Sequence, residues 1–241
     1  MSDKIVSFSG GKDSTAMLLR LIYEGARIDR IIFFDTGWEF PEMLQHIKQV
    51  EEYINRPITI LHPRRPFTYW AIERPIKRKS GPDRGQVYRH GCGWPSHMRR
   101  WCTREKVQQI DKHCGHIATR YIGYSADELH RTGKSTLEAK RYKREYPLIK
   151  WGMTEQDCLE YCYDRGFTWS GLYEKFRRVS CFCCPLQRIG ELRKLRAYYP
   201  DLWGKMLKWD KAMGESNKGF RGYDTVQDLE KRFSKETLVL F

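Results

Sequence analysis

Apolar runs alternate with helical patterns through the first half of the chain. Four short runs are typical of buried strands: KIVSFS (4–9), RIIFFDTG (30–37), PITIL (57–61) and IATRYIGY (117–124). Between them, STAMLLRLIYEG and residues 40–53 carry apolar side chains at helical spacing, and Gly25 fits the end of the first helix. This alternation predicts an α/β fold with a parallel sheet and right-handed crossovers.

Two stretches interrupt the alternation. Residues 63–95 are rich in Pro, Gly and Arg and contain KRKSGPDRG, which predicts a long mobile loop over the active face. Residues 146–152 (YPLIKWG) predict a turn-rich connector. Both stretches are expected to join elements rather than to form them.

The remaining pattern is mostly helical. Residues 104–114 have helical spacing, Thr154 is a candidate N-cap for TEQDCLEYCYDRG, and Gly166 fits its C-terminal end. Beyond Gly190 the pattern is helical almost throughout. We therefore predict an α/β core over residues 1–150 and a helical C-terminal region over 151–241 that packs on it.

The composition is that of an ordinary globular protein, with 40% hydrophobic and 14% aromatic residues. No apolar run approaches the roughly 20 residues that cross a bilayer. The first residues lead directly into a loop and lack the pattern of a signal peptide. These observations predict a cytoplasmic protein without a membrane partner.

The formal net charge is +14, and the excess is concentrated in two segments. Residues 64–104 contain eleven Lys and Arg against two acidic residues, and a second basic run covers 131–144. A solvated surface would account for some of this charge. A focused positive field also suits a polyanion, either a phosphorylated nucleotide or a nucleic acid, and composition leaves these alternatives open.

Residues 9–14, SGGKDS, which we call the glycine loop, follow the first strand and lead into the first helix. The adjacent Gly10 and Gly11 do not fit a Walker A loop, which needs four residues between its first glycine and its Gly-Lys end. Glycines let the backbone approach phosphate oxygens, and the helix N-terminus directs its N–H groups at them. Lys12 adds a positive charge, and Asp13 is expected to hold the loop or to help place Mg²⁺.

The glycine loop resembles the PP-loop of the adenine nucleotide α-hydrolase superfamily, which implies an HUP-type parallel-sheet core and chemistry at an α-phosphate. Five further segments resemble the phosphoadenosine phosphosulfate (PAPS) reductase-like branch of that superfamily. They are FFDTGWEFPE (33–42), WCTREK (101–106), GYSADELHR (123–131), YPLIKW (146–151) and SCFCCP (180–185). The resemblance therefore covers most of the chain.

The resemblance implies that the protein binds ATP, PAPS or adenylylsulfate together with Mg²⁺. The residues expected to contact the nucleotide are Ser7, Ser9, Gly10, Gly11, Lys12, Asp13, Ser14, Asp35, Thr36, Gly37, Gly123, Asp127, Glu128 and Arg131. Lys12, Asp13 and Cys183 are the candidate catalytic residues.

The cysteines of SCFCCP form the second candidate site, because two thiolates at Cys-x-x-Cys spacing can bind one metal. Adenylylsulfate reductases of the same branch hold a 4Fe-4S cluster with a cysteine pair and a later Cys-x-x-Cys. The resemblance implies a cluster here with the ligands Cys102, Cys181, Cys183 and Cys184, and with Cys92 as a substitute. Three alternatives stay open: a cluster held by three cysteines with one open iron, buried structural cysteines, or a zinc site that uses His90, Cys92, His97 and Cys102, alone or with the later cysteines.

Three functions are compatible with these residues. The first is ATP-dependent sulfur transfer to tRNA or DNA, in which the basic segment holds the polyanion and Trp70, Tyr88 and Trp94 are available for stacking. The second is reduction of PAPS or adenylylsulfate, although Ser125 and Leu129 replace the branch's usual Arg and Ser. No cysteine follows Cys184, so this reaction would need Cys183 as its nucleophile.

The third candidate function is a nucleotide- and nucleic-acid-binding module without turnover. The sequence favours the first function slightly. It leaves open whether a sulfur- or electron-donor protein, or a second copy of the chain in a homodimer, takes part.

Overall fold

The computed structural model describes residues 2–115, 118–132 and 142–238. The strands are β1 Asp3–Phe8, β2 Arg30–Phe34, β3 Thr59–Leu61, β4 Pro75–Lys77, β5 Val87–His90, β6 Ala118–Ile122 and β7 Lys143–Glu145. The helices are α1 Lys12–Tyr23, α2 Pro41–Ile54, α3 Trp101–Cys114, α4 Pro147–Lys150, α5 Glu155–Tyr163, α6 Leu172–Lys175, α7 Ile189–Tyr198, α8 Pro200–Ala212 and α9 Val226–Leu238. Among these residues, no helix combines the length and the apolar composition that crossing a membrane requires.

The main sheet has five parallel strands in the order β3-β2-β1-β6-β7, which confirms the predicted α/β fold. The chain leaves β1 towards β2 and β3 and later returns to β6 on the other side of β1. At such a reversal the loops after neighbouring strands diverge and leave a crevice at the carboxyl ends of the strands. The glycine loop follows β1, so it lies at this crevice.

One continuous apolar core joins the two parts of the chain. It contains buried residues from Val6 in β1 to Phe233 in α9. Thr154 caps α5 as predicted: its hydroxyl accepts from the backbone N–H of Asp157, whose carboxylate in turn accepts from the backbone N–H of Thr154. The proposed division of the chain at residue 150 stays a prediction.

The prediction of one long loop over residues 63–95 is wrong. Residues 69–73 form a π-helical turn, and β4 and β5 pair as an antiparallel two-stranded ribbon. We call residues 74–90 the basic hairpin. Most of its side chains are exposed, so its strands lack the alternation of apolar and polar residues that would have predicted them.

The prediction for residues 146–152 can be compared with the structure, and the prediction for the second basic run only in part. The connector at 146–152 contains the short helix α4, and β7 was not predicted. Most of the second basic run falls on residues 133–141, which lie outside the described residues.

Candidate active site

The glycine loop is closed by its two serines. The hydroxyls of Ser9 and Ser14 lie 2.9 Å apart, and the backbone N–H of Ser9 donates to Ser14 Oγ at 3.1 Å. Ser14 in turn donates to the carbonyl of Gly11 at 3.1 Å. These bonds fix the turn from β1 into α1, so the first amides of α1 face the crevice in a defined position.

Two glycines are required by close packing at this turn. Gly10 has φ +77°, and a Cβ there would lie 2.5 Å from the sulfur of Met43 and 2.8 Å from a methyl of Ile47. Gly123 follows β6, and a Cβ there would lie 3.0 Å from Cα of Ser14. Gly10 therefore packs closely against α2, and Gly123 packs closely against the first turn of α1.

Lys12 is almost fully buried, and its ammonium is held by carboxylates. Its Nζ lies 3.0 Å from Glu155 Oε2 at the start of α5 and 3.5 Å from Asp13 Oδ1. A phosphate that entered the crevice would compete with Glu155 for this charge. Glu155 was not among the predicted site residues, because no local pattern reveals a contact across 143 positions.

Burial raises the pKa of Asp13 from 3.8 to about 6, and the nearby carboxylates of Glu155 and Glu128 add to this shift, while Lys12 opposes it. An acid with this pKa changes its charge near neutral pH. The charge of Asp13 in the glycine loop therefore depends on its neighbours Lys12, Glu155 and Glu128.

Glu155→Gln is expected to strengthen nucleotide binding. The substitution removes a negative charge near the phosphate position and releases Lys12 from its ion pair. Because Glu155 is more than one-third exposed, we expect a modest gain, roughly three- to fivefold in Kd for ATP. Glu160→Gln on the same helix is the matched control, and an unchanged Kd in Glu155→Gln would contradict the competition.

The end of β2 connects the nucleotide crevice to the cysteines. Asp35 accepts a hydrogen bond from the backbone N–H of Gly37 at 2.7 Å, which shapes the turn. The hydroxyl of Thr36 donates to Glu39 Oε1 at 2.9 Å and lies 3.4 Å from the sulfur of Cys181. The predicted segment 35–37 therefore contacts the second candidate site directly.

The residues after β6 mainly hold other elements in place. Asp127 accepts from the backbone N–H of Glu155 at 2.8 Å, which anchors the start of α5. Glu128 forms an ion pair with Arg131, whose guanidinium lies 4.1 Å from the ring centroid of Tyr124. These three predicted residues thus already have partners in the structure. Ser7 lies inside β1 between β2 and β6.

Cys102, Cys181, Cys183 and Cys184 line one cavity of about 100 Å³, which we call the cysteine cavity. Its other walls include Trp38, Phe67, Pro95, Pro185 and Leu186, together with Ser96, Arg100 and Thr103. The predicted convergence of residue 102 with residues 181–184 is therefore present. Cys92 does not line this cavity; its sulfur lies 4.0 Å from Arg74 Nη1, so the predicted substitute ligand lies elsewhere.

The donor set fits a thiophilic metal centre, because four cysteines line one largely apolar cavity. Burial raises the pKa of Cys102, Cys181 and Cys183, so these thiols stay protonated until a metal takes the place of the proton. No three His, Cys, Asp or Glu side chains in residues 2–115, 118–132 and 142–238 already stand close enough to hold a single ion. Of the alternative zinc residues, His90 and His97 are exposed.

Aromatic side chains enclose this region. Trp38 contacts Phe67, Trp94, Trp101 and Trp209, with ring centroids 5.3 to 6.0 Å apart. Trp94 is only 1% exposed and donates to Asp210 at 2.7 Å. The expectation that Trp94 is available for stacking on a nucleic acid is therefore wrong, because this indole belongs to the core.

Known proteins resemble this chain along most of its length. It is 28% identical over 223 residues to the uncharacterized protein MJ0066 of Methanocaldococcus jannaschii, an alignment that covers 88% of this chain and 41% of that protein. It is 24% identical over 248 residues to MJ0973 of the same organism, covering 97% and 54%. The chain thus spans about half the length of these relatives.

Among solved structures, the U34-tRNA thiolase NcsA from Methanococcus maripaludis with its 4Fe-4S cluster aligns with a TM-score of 0.41 and 16% identity, covering 97% of this chain and 72% of that one. The profile of the phosphoadenosine phosphosulfate reductase domain matches residues 3–187. The matched range includes the glycine loop, the end of β2 and all four cysteines of the cavity. The chain belongs to the phosphoadenosine phosphosulfate reductase domain family.

Proposed function

We propose that the protein binds ATP at the glycine loop, adenylates an oxygen of a nucleic acid, tRNA or DNA, and replaces that oxygen by sulfur at the cysteine cavity. The observation that carries this proposal is the contact of Thr36 with Cys181. It joins the end of β2, beside the glycine loop, to the cavity where sulfur chemistry would take place. Both half-reactions would therefore act on one carbon–oxygen group of the acceptor.

In the first half-reaction, the acceptor oxygen attacks the α-phosphorus of ATP, and the bond to the bridging oxygen breaks to release pyrophosphate. The amides at the start of α1 and the ammonium of Lys12 would stabilise the charge that develops on pyrophosphate. Asp13 would hold Mg²⁺ in the same crevice. Lys12 must then exchange Glu155 for a phosphate oxygen as the nucleotide binds.

In the second half-reaction, sulfur bonds to the carbon that carries the adenylated oxygen, and the bond between that carbon and oxygen breaks to release AMP. Cys102, Cys181, Cys183 and Cys184 are the thiols available to a 4Fe-4S cluster; if three of them hold it, the fourth iron would be open and would supply a binding site for the incoming sulfur. Zinc is the alternative at these thiols. Trp38 and Phe67 line the cavity and would exclude water, which would otherwise hydrolyse the adenylated acceptor. The sulfur comes from a donor molecule outside this chain.

The basic hairpin supports a polyanionic acceptor. It carries six Lys and Arg against one acidic residue, Asp83, and Tyr88 at its second strand is 48% exposed. Arg78 and Arg89 flank the Tyr88 ring at 5.4 and 5.6 Å. In a nucleic-acid site, such cationic groups bind phosphates and an exposed aromatic ring stacks on a base. The hairpin is followed, after residues 91–94, by the segment 95–103, of which Pro95, Ser96, Arg100, Cys102 and Thr103 line the cysteine cavity.

Reduction of PAPS or adenylylsulfate is the alternative function, because the chain belongs to the phosphoadenosine phosphosulfate reductase domain family. Two features of the structure disfavour it. Ser125, at the position of the branch's phosphate-binding arginine, is fully buried and neutral. Cys183, the nucleophile this reaction would need, is 1% exposed, and burial raises the pKa of its thiol. A buried, protonated thiol is a poor nucleophile.

The test uses the protein purified and reconstituted anaerobically with iron and sulfide. Wild type, Cys181→Ala and the control Cys114→Ala are compared by visible absorption, iron content and pyrophosphate release from ATP with tRNA or DNA. Cys114 is buried at the end of α3 and does not line the cavity. We expect nucleic-acid-dependent pyrophosphate release and thiolated product from wild type and Cys114→Ala, with both the cluster and the product lost in Cys181→Ala. Sulfite release from PAPS or adenylylsulfate, without any nucleic-acid dependence, would overturn the proposal in favour of reduction.

A further inference from the structure

A tyrosine from the C-terminal part of the chain reaches the glycine loop. The backbone N–H of Lys12, the first residue of α1, donates to the hydroxyl oxygen of Tyr173 at 2.8 Å. A Cβ on Gly11 would lie 3.3 Å from the same oxygen. The phenol hydroxyl therefore lies at the N-terminus of α1, where the loop is built to receive an anion.

The position of this phenol is fixed by its neighbours. Trp169 packs edge-on against the Tyr173 ring, with centroids 4.8 Å apart, and its indole N–H donates to the carbonyl of Gly10 at 2.7 Å. Trp169 is itself 1% exposed and stacks on His46 at 4.3 Å. The same buried indole thus orients both the glycine loop and Tyr173, so their relative placement is built into the core.

The hydroxyl of Tyr173 accepts a hydrogen bond but donates none within the described residues. A tyrosine hydroxyl has one proton to donate and lone pairs to accept. The Lys12 amide occupies its acceptor side, and no acceptor within the described ranges receives its proton. Burial raises the pKa of Tyr173, so the hydroxyl keeps that proton. A partly buried donor beside an anion-binding loop, without an acceptor among the described residues, indicates that the acceptor is the ligand.

We propose that Tyr173 is a nucleotide-binding residue whose hydroxyl donates a hydrogen bond to a phosphate oxygen held at the N-terminus of α1. The assignment rests on the proposed binding of a nucleotide at the glycine loop. Tyr173 would add to the glycine loop a contact from α6, and it lies 161 positions after Lys12 in the sequence. The ammonium of Lys12, 5.8 Å from the centre of the Tyr173 ring, would bind the same phosphate group from one side.

The experiment compares wild type, Tyr173→Phe and Tyr161→Phe by calorimetric titration with ATP, pyrophosphate and adenosine. The hydroxyl of Tyr161 is buried and has no hydrogen-bond partner among the described residues, so Tyr161→Phe is a matched loss of one buried phenol oxygen. We expect Tyr173→Phe to bind ATP and pyrophosphate roughly tenfold more weakly, the size of one hydrogen bond to a charged group. Adenosine binding should be unchanged, which a general disturbance of the fold would not allow.

Unchanged or tighter binding of ATP by Tyr173→Phe would overturn the assignment, because it would show that the phenol only occupies the Lys12 amide in the absence of ligand. An equal loss for ATP and adenosine would also overturn it and indicate a purely structural tyrosine. A wild-type protein that binds neither ATP nor pyrophosphate would instead overturn nucleotide binding at the loop, and this assignment with it.

Discussion

Gly10→Ala is expected to abolish measurable ATP binding and to lower the free energy of unfolding by about 3 kcal/mol. The left-handed conformation at φ +77° costs a non-glycine residue about 1–2 kcal/mol. The new methyl would also lie 2.5 Å from the sulfur of Met43 and 2.8 Å from Ile47. Relieving such contacts in a packed core costs about 1–3 kcal/mol more. The relief would shift the loop that carries Lys12 and Ser14.

Gly25→Ala is the matched control for this substitution. Gly25 follows α1 with φ +68°, and nothing lies within 4 Å of a Cβ built there. Only the conformational cost of about 1 kcal/mol then applies, and ATP should bind as in the wild type. Urea denaturation gives the two stabilities, and titration with ATP gives the two affinities. Equal behaviour of the two variants would show that packing against α2 does not constrain the glycine loop.

The parallel sheet could be predicted because its strands are buried and read as short apolar runs. The segment RIIFF forms β2 where the run predicts a strand, and KIVSFS covers most of β1. Since parallel strands end at one edge of the sheet, the loops after β1, β2 and β6 had to meet. The approach of Gly10, Thr36 and Gly123 to one crevice follows from this topology.

The basic hairpin could not be predicted by the same argument. Its second strand, VYRH, is exposed except for Arg89, so neither face selects apolar residues. Pairing in such a ribbon depends on its own backbone hydrogen bonds and on its anchor, where Ser216 donates to the carbonyl of His90. That anchor comes from a different part of the chain, and a local pattern does not contain it.

The same limit applies to the candidate site. Lys12 and Cys181 could be selected because their chemistry is carried by short local segments. Glu155, Trp169 and Tyr173 contact the glycine loop only because the C-terminal part of the chain packs on α1. A tyrosine or a glutamate on an amphipathic stretch gives no signal of such a contact. These partners, and the placement of Cys92 away from the cysteine cavity, follow only from the tertiary structure.

Asp13→Asn is expected to stabilise the protein above pH 7 by about 2–3 kcal/mol. The carboxyl has a pKa of about 6 in the folded protein against 3.8 in the unfolded chain, so the folded state binds more protons between these values. Stability therefore falls as pH rises through this window, and the full cost is present above pH 6, at about 1.4 kcal/mol for each pKa unit. Asparagine carries no charge to desolvate, so the advantage of the variant should shrink towards pH 4.

Asp157→Asn should show the opposite dependence on pH. Hydrogen bonds from the backbone N–H and hydroxyl of Thr154 lower the pKa of Asp157, so its contribution is present at neutral pH and is lost in acid. Urea denaturation of both variants from about pH 2 to 8 tests the two signs together, because the contribution of Asp157 is lost only below its usual pKa of 3.8. Parallel profiles would contradict the environment assigned to Asp13. An enzyme keeps a carboxylate that destabilises its fold at neutral pH where the reaction needs the negative charge. In the proposed reaction, the charge of Asp13 holds Mg²⁺. Asp13→Asn should accordingly lose Mg²⁺-dependent pyrophosphate release while it gains stability.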